Sequence, residues 1–222
     1  MTTDEALADE KALDGKPFDR FYRRVEALSA AILALATIAT AWSAYQSARW
    51  NGDQAYHNGQ ASVAIIKFSK FANLAEQKIS LHTNMFGQWA AAVSVDNAAL
   101  ASFLFARLPE PLKTATIAWQ ATQPLTDPAA PRTPFDMPSY ALAESAEAER
   151  WEAAATVESE AGQRAGELSD RYLLFTIVFA AVLFFGGISG KFRWQVIDVA
   201  VLVFGVLILV TGALILISLP TK

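Results

Sequence analysis

Two apolar runs, YLLFTIVFAAVLFFGGIS from Tyr172 to Ser189 and VIDVAVLVFGVLILVTGALILISL from Val196 to Leu219, constrain this chain most. Only the short polar connector Gly190-Lys191-Phe192-Arg193-Trp194-Gln195 separates them. A helix that crosses ~30 Å of hydrocarbon needs ~20 mostly apolar residues, and both runs supply them. So short a connector leaves one arrangement, a tight hairpin of two antiparallel spans. A third, alanine-rich segment from Ala27 to Tyr45 also qualifies. Its Ala39-Thr40-Ala41 could pass for a signal-peptidase site, but the long acidic-then-basic leader favours an anchor that is kept.

Composition agrees. Hydrophobic residues make up 53% and charged residues 18%, the balance of a small membrane protein. A net charge of -4 leaves no basic stripe to neutralise phosphates, so nucleic acid is not an expected partner. The chain has no cysteine and only two histidines, which removes thiolate chemistry and makes a histidine-rich metal site unlikely to arise. No cofactor or metal is expected.

Threading follows from the basic residues. Lys16, Arg20, Arg23 and Arg24 precede the first span, and Lys191 and Arg193 sit in the connector. The positive-inside rule places both groups in the cytoplasm of a bacterial inner membrane. An odd number of spans then sends residues 46–171 and the C-terminus to the extracytoplasmic side. The expected organisation is an acidic tail over 1–17, an interfacial segment and first span over 18–45, an outer helical hairpin over 46–171 and a transmembrane hairpin over 172–222. Within 18–45, Phe18, Phe21, Tyr22, Val25 and Leu28 recur at helical spacing, a pattern that anchors a helix in the headgroup layer.

Small residues mark possible packing faces. Ala30, Ala34, Thr37, Ala41 and Ala44 form one stripe on the first span, and helices in lipid associate by such close backbone approach. Gly186, Gly187, Gly190, Gly205 and Gly212 offer flat surfaces on the other two spans. Asp198, one turn into the third span, reads as an interfacial partner of Arg193, and a buried acid on an ion path is the sharper alternative.

No proline lies between Pro17 and Pro109, which permits very long helices. A 3-4 spacing runs through Ile65, Phe68, Ala72, Ala75, Ile79, His82, Phe86, Trp89, Val93, Asp96, Leu100 and Phe103, with Gly87 a candidate break. That is the pattern of a helix seam. Extended backward, the register gives Ser47, Asn51, Gln54 and Asn58. Asn51-Gly52 and Asn58-Gly59 stand one heptad apart, so their amides read as repeated layers that fix register and copy number. Lining a wet opening above an oligomeric pore is the alternative.

Seven prolines between Pro109 and Pro138 mark the end of the hairpin, with one short helix expected from Leu112 to Ala121. Trp119 and Phe135 there are candidates for docking a partner, although a plain hairpin cap needs none. From Ser139 the chain returns as a helix with a thin seam, Trp151, Ala154, Ala161, Ala165, Leu168 and Tyr172. Its many acids read as a solvated outer face.

Ala41-Trp42-Ser43-Ala44-Tyr45-Gln46-Ser47-Ala48-Arg49-Trp50, PFDMP followed by Ser139-Tyr140, Ser169-Asp170-x-Tyr172 and LFFGGIS resemble a group of uncharacterised bacterial three-span integral membrane proteins. The resemblance covers nearly the whole chain after the tail. It implies the same threading and carries no activity.

Phosphate loops, nucleophile elbows and zinc-binding His-Glu-x-x-His sequences do not occur. His57 with Asp53, and His82 with Asp96, are histidine pairings of the structural kind. The expected fold is thus an all-α membrane protein, three transmembrane helices with a long extramembrane helical hairpin between the first and second. The expected function is non-enzymatic: a structural, scaffold or accessory subunit in the lipid bilayer, self-associating or held in a larger membrane protein complex. Ala34, Thr37, Ala41, Asn51, Gln54 and Asn58 are its packing candidates. The alternative is a homo-oligomeric channel, for which Thr37, Thr40, Ser43, Ser47 and those amides would have to face one axis.

Overall fold

The computed structural model describes residues 17–188 and 195–222, with side chains from Glu26 onward except those of 195, 197 and 198. The acidic tail, the Arg20/Arg23/Arg24 side chains, the Lys191/Arg193 connector and the Asp198–Arg193 pair lie outside the described residues. Among those described there are five α-helices and no strand. They are α1 (Pro17–Ser94), α2 (Ala98–Ala106), α3 (Leu112–Ala121), α4 (Ala143–Ile188) and α5 (Gln195–Ser218), with one 3-10 turn at Pro134–Asp136.

Helix α1 runs for 78 residues without a break. Neither Gly52, Gly59 nor Gly87 interrupts it, because the absence of proline leaves every backbone hydrogen bond in place. It stops at Ser94, short of the last seam positions Asp96, Leu100 and Phe103. Asp96 takes a left-handed backbone (φ 56°), Asp96 N–H donates to Val93 O, and Asn97 N–H donates to Ala92 O. This paired closure ends a helix. Asn97 then accepts from Leu100 N–H and starts α2. Helix α3 spans the predicted Leu112–Ala121.

Three helices contain stretches long and apolar enough to cross a membrane: α1, α4 and α5. Outward from them project large apolar side chains, among them Ile38, Ile177, Leu207 and Ile217, the last 80% exposed. Exposure on that scale is costly in water and costs nothing against lipid tails. The chain is an all-α membrane protein with three transmembrane helices and a helical hairpin between the first and second. Helix α1 packs against α4.

Two compact units divide the chain, residues 1–56 with 161–222, and residues 57–160. In the first, Ile32 and Ala36 of α1, Tyr172, Phe179 and Val182 of α4, and Leu202, Leu209 and Leu216 of α5 form the core. The α5 leucines recur every seven residues, as a helix seam requires. Glycine sets the closeness of approach. A Cβ at Gly212 would stand 2.9 Å from the Phe179 ring, and one at Gly186 would stand 2.8 Å from Leu33. The expected flat glycine surfaces therefore receive bulky side chains, not the alanine stripe.

The second unit buries Ala61, Ala64, Ala75, His82, Trp89 and Ala92 of α1, Leu142 just before α4, and Ala148 and Ala155 within it, together with Leu108, Leu112 and Ala115. The predicted seam is correct at Ala75, His82 and Trp89 and one residue late below them, where Ala64 is buried and Ile65 is 52% exposed. A straight helix drifts about 20° per heptad from a strict seven-residue repeat, so an extrapolated register slips by one position over several heptads.

Candidate functional site

The same slip relocates the polar positions of α1 in the first unit. Ser43 and Gln46 are fully buried, whereas Ala30, Ala34, Thr37, Ala41, Ala44, Ala48 and Asn51 are exposed. Two faces thus lie on opposite sides of one helix. The inner face, Ile32, Ala36, Ser43 and Gln46, meets the chain's own α4 and α5. The outer face carries a stripe of small residues and is left exposed by the described residues. Asn51 sits on it, and in the second unit Asn58 is likewise exposed. Gln54 differs from its expected neighbours: it is half-buried, its amide against Gly166, where an added Cβ would lie 2.5 Å away.

The hydroxyls of the first span do not share a face. Thr37 is exposed and donates to Leu33 O; Thr40 is half-buried and donates to Ala36 O. Ser43 is buried within the chain. Ser47 is 3.2 Å from Ser169 Oγ, which donates to Ser47 O at 3.0 Å.

A polar knot closes this end of the unit. Trp50 Nε1 and Tyr172 Oη both donate to Pro220 O, at 3.2 and 3.1 Å. Lys222 N–H donates to Gln46 Oε1 at 3.0 Å, and the Lys222 ammonium pairs with Asp53 while lying 4.6 Å from the Trp50 ring centroid. Asp53 is thus tied to the C-terminal end of the chain. The sequence gives no local signal for this, since the partners stand some 170 residues apart.

In the second unit His57 Nδ1 lies 2.7 Å from Glu158 Oε2, and Lys78 pairs with Glu144. These two acids are thus inward-facing partners, exceptions to the solvated face expected of α4. His82 is buried and sits 2.9 Å from Tyr140 Oη, while its expected companion Asp96 is exposed. Burial first, and the Lys78 ammonium second, hold the His82 imidazole below its usual range, with Glu144 pulling the other way. Burial raises the Tyr140 phenol.

The two docking candidates at the hairpin end are engaged internally. Trp119 Nε1 donates to Pro131 O at 2.8 Å, and its ring meets Phe86 edge-on at 5.6 Å. Phe135 meets Phe86 and Tyr140 edge-on at 5.8 and 4.9 Å. Both are half-buried. They form an aromatic cluster that holds the proline-rich segment onto α1, because such large rings gain more from burial than from exposure.

Among the described residues no three His, Asp or Glu side chains converge as a metal site. No protein-family model, curated protein or solved structure matches the chain.

Proposed function

We propose that the chain is a non-enzymatic scaffold or accessory subunit of a bacterial inner-membrane assembly, acting by helix–helix association. The observation that carries this reading is the outer face of α1. Ala30, Ala34, Thr37, Ala41, Ala44, Ala48 and Asn51 repeat at 4-3 spacing, and all are exposed. Lipid tails give such a face no hydrophobic reason to hide, yet alanine at five of its seven positions lets a second helix approach closely. Copies sharing one membrane orientation run parallel, so each layer meets itself. Asn51 and Asn58 can then pair amide to amide, donor to acceptor, and fix register.

The channel reading draws less support. Ser43, Ser47 and Gln54 face the chain's own interior, leaving Thr37, Asn51 and Asn58 as the polar groups available to a shared axis. The threading that accompanies the scaffold reading puts the N-terminus in the cytoplasm and residues 46–171 outside.

Single cysteines in this cysteine-free chain test the proposal in native membranes. Ala41→Cys on the outer face is expected to cross-link, to a second copy or to another subunit, and Ala36→Cys on the inner face is not. If Cys at 41 joins to nothing while remaining reactive, the association reading fails.

A further inference from the structure

The 57–160 unit holds a cleft of about 870 Å³ that the scaffold reading does not use. The half-buried Trp119 and the buried Trp89 line it, and Val93 and Leu125 add apolar surface. The Trp119 N–H is already bonded to Pro131 O, so that indole adds ring surface in place of a donor.

The one charged side chain among the residues lining this cleft is an acid, Asp96; the N-terminus of α2 begins just beyond it, and Lys113 lines the adjoining pocket. Helix α1 ends beside it at Ser94 and α3 ends beside it at Ala121. Each helix C-terminus carries the equivalent of roughly half a negative charge. Neither helix has a basic residue in its last turn to offset it. Asp96 then adds a carboxylate just past the end of α1, where a helix favours a cation. Asp96 makes no ion pair among the described residues, and no Lys, Arg or His lines the cleft. Asp96 and Gln123, the residues just past the two helix ends, are also the non-glycine residues of the described chain with left-handed backbone (φ 56° and 55°). That conformation is costly for Gln and tolerated by Asp, and both residues line the cleft.

We propose that this cleft binds an organic cation with an apolar body, such as an aromatic or quaternary ammonium compound. The charge settles against Asp96 and the two helix ends, and the body lies against the Trp119 ring and Leu125, an aromatic ring attracting a cation through its face. A neutral apolar molecule would leave the converging negative ends unanswered. An anion would be repelled by them.

The test uses the full-length protein in phosphatidylcholine nanodiscs, with equilibrium dialysis against benzyltriethylammonium and p-toluenesulfonate, probes of similar size and opposite charge. Binding is measured above that of empty discs. The cation is expected to saturate a single site at least about tenfold more tightly than the anion, and raised salt is expected to weaken it. Asp96→Asn, which keeps a residue suited to the left-handed turn, is expected to lower cation affinity about fivefold with helicity and melting temperature unchanged. Ala90→Phe, which fills the cleft, is expected to abolish binding of the cation. Equal binding of the two probes, cation binding no greater than to empty discs, or cation binding untouched by both substitutions and by salt each overturns the proposal.

Discussion

His82 shows how one buried side chain ties the second unit to pH. Its imidazole is held below the ordinary value by burial and by Lys78, so folding favours the neutral ring. The stabilisation is therefore complete above about pH 6.5 and is lost as pH falls through the lower folded-state value. Glu144, held low first by its hydrogen bond from Lys78, adds a second loss below about pH 4.3. Amide protection factors, taken against the intrinsic exchange rate at each pH, are expected to fall in two steps on acidification in residues 78–92 and 140–148. His82→Gln is expected to remove the upper step and leave the lower; an unchanged upper step would assign it to another group. At Gly212 the constraint is steric. Gly212→Leu drives a side chain into Phe179 and is expected to destabilise the spans by roughly 1–3 kcal/mol, read as a lower unfolding midpoint in detergent.

At the level of elements, the two faces of α1 make opposite demands on the same residue type. Ala36 is fully buried and Ala34 is exposed, two positions apart on one helix. Ala36→Leu is expected to overpack the core by about 1–3 kcal/mol. Ala34→Leu is expected to leave the melting temperature of the isolated chain within about a degree and to reduce cross-linking through Cys at 41 severalfold. Equal effects of the two substitutions on stability would mean that the helix is seated the other way round. These faces also mark how far the sequence could be read. The proline-free stretch announced a long helix, and the apolar runs announced the spans, because both depend on local chemistry alone. The rotation of α1 was harder to read, since alanine is compatible with either face and a strict heptad drifts from a straight helix. The knot of Trp50, Tyr172, Pro220, Lys222 and Asp53 left no trace in sequence spacing. Trp119 and Phe135 were conspicuous as aromatics, but whether a ring faces a partner or its own hairpin depends on Phe86 and Tyr140, brought near only by folding.

For the molecule as a whole, threading through the bilayer is the property on which every assigned role rests. The chain has no cysteine, so single replacements report their side cleanly. A cysteine at Leu125, 94% exposed, is expected to react with a membrane-impermeant maleimide added outside intact spheroplasts, and one at Ala6 to react only after lysis. Labelling of both under the same condition would reverse or abolish the proposed orientation. The glycine under Phe179 has a bearing on how such a chain is assembled. Sliding α5 by one turn in either direction would bring Ile208 or Leu216 beneath that ring in place of Gly212, and neither leaves room. A slide of one turn thus finds no resting place, and a hairpin released into lipid one turn too shallow or too deep is not trapped there.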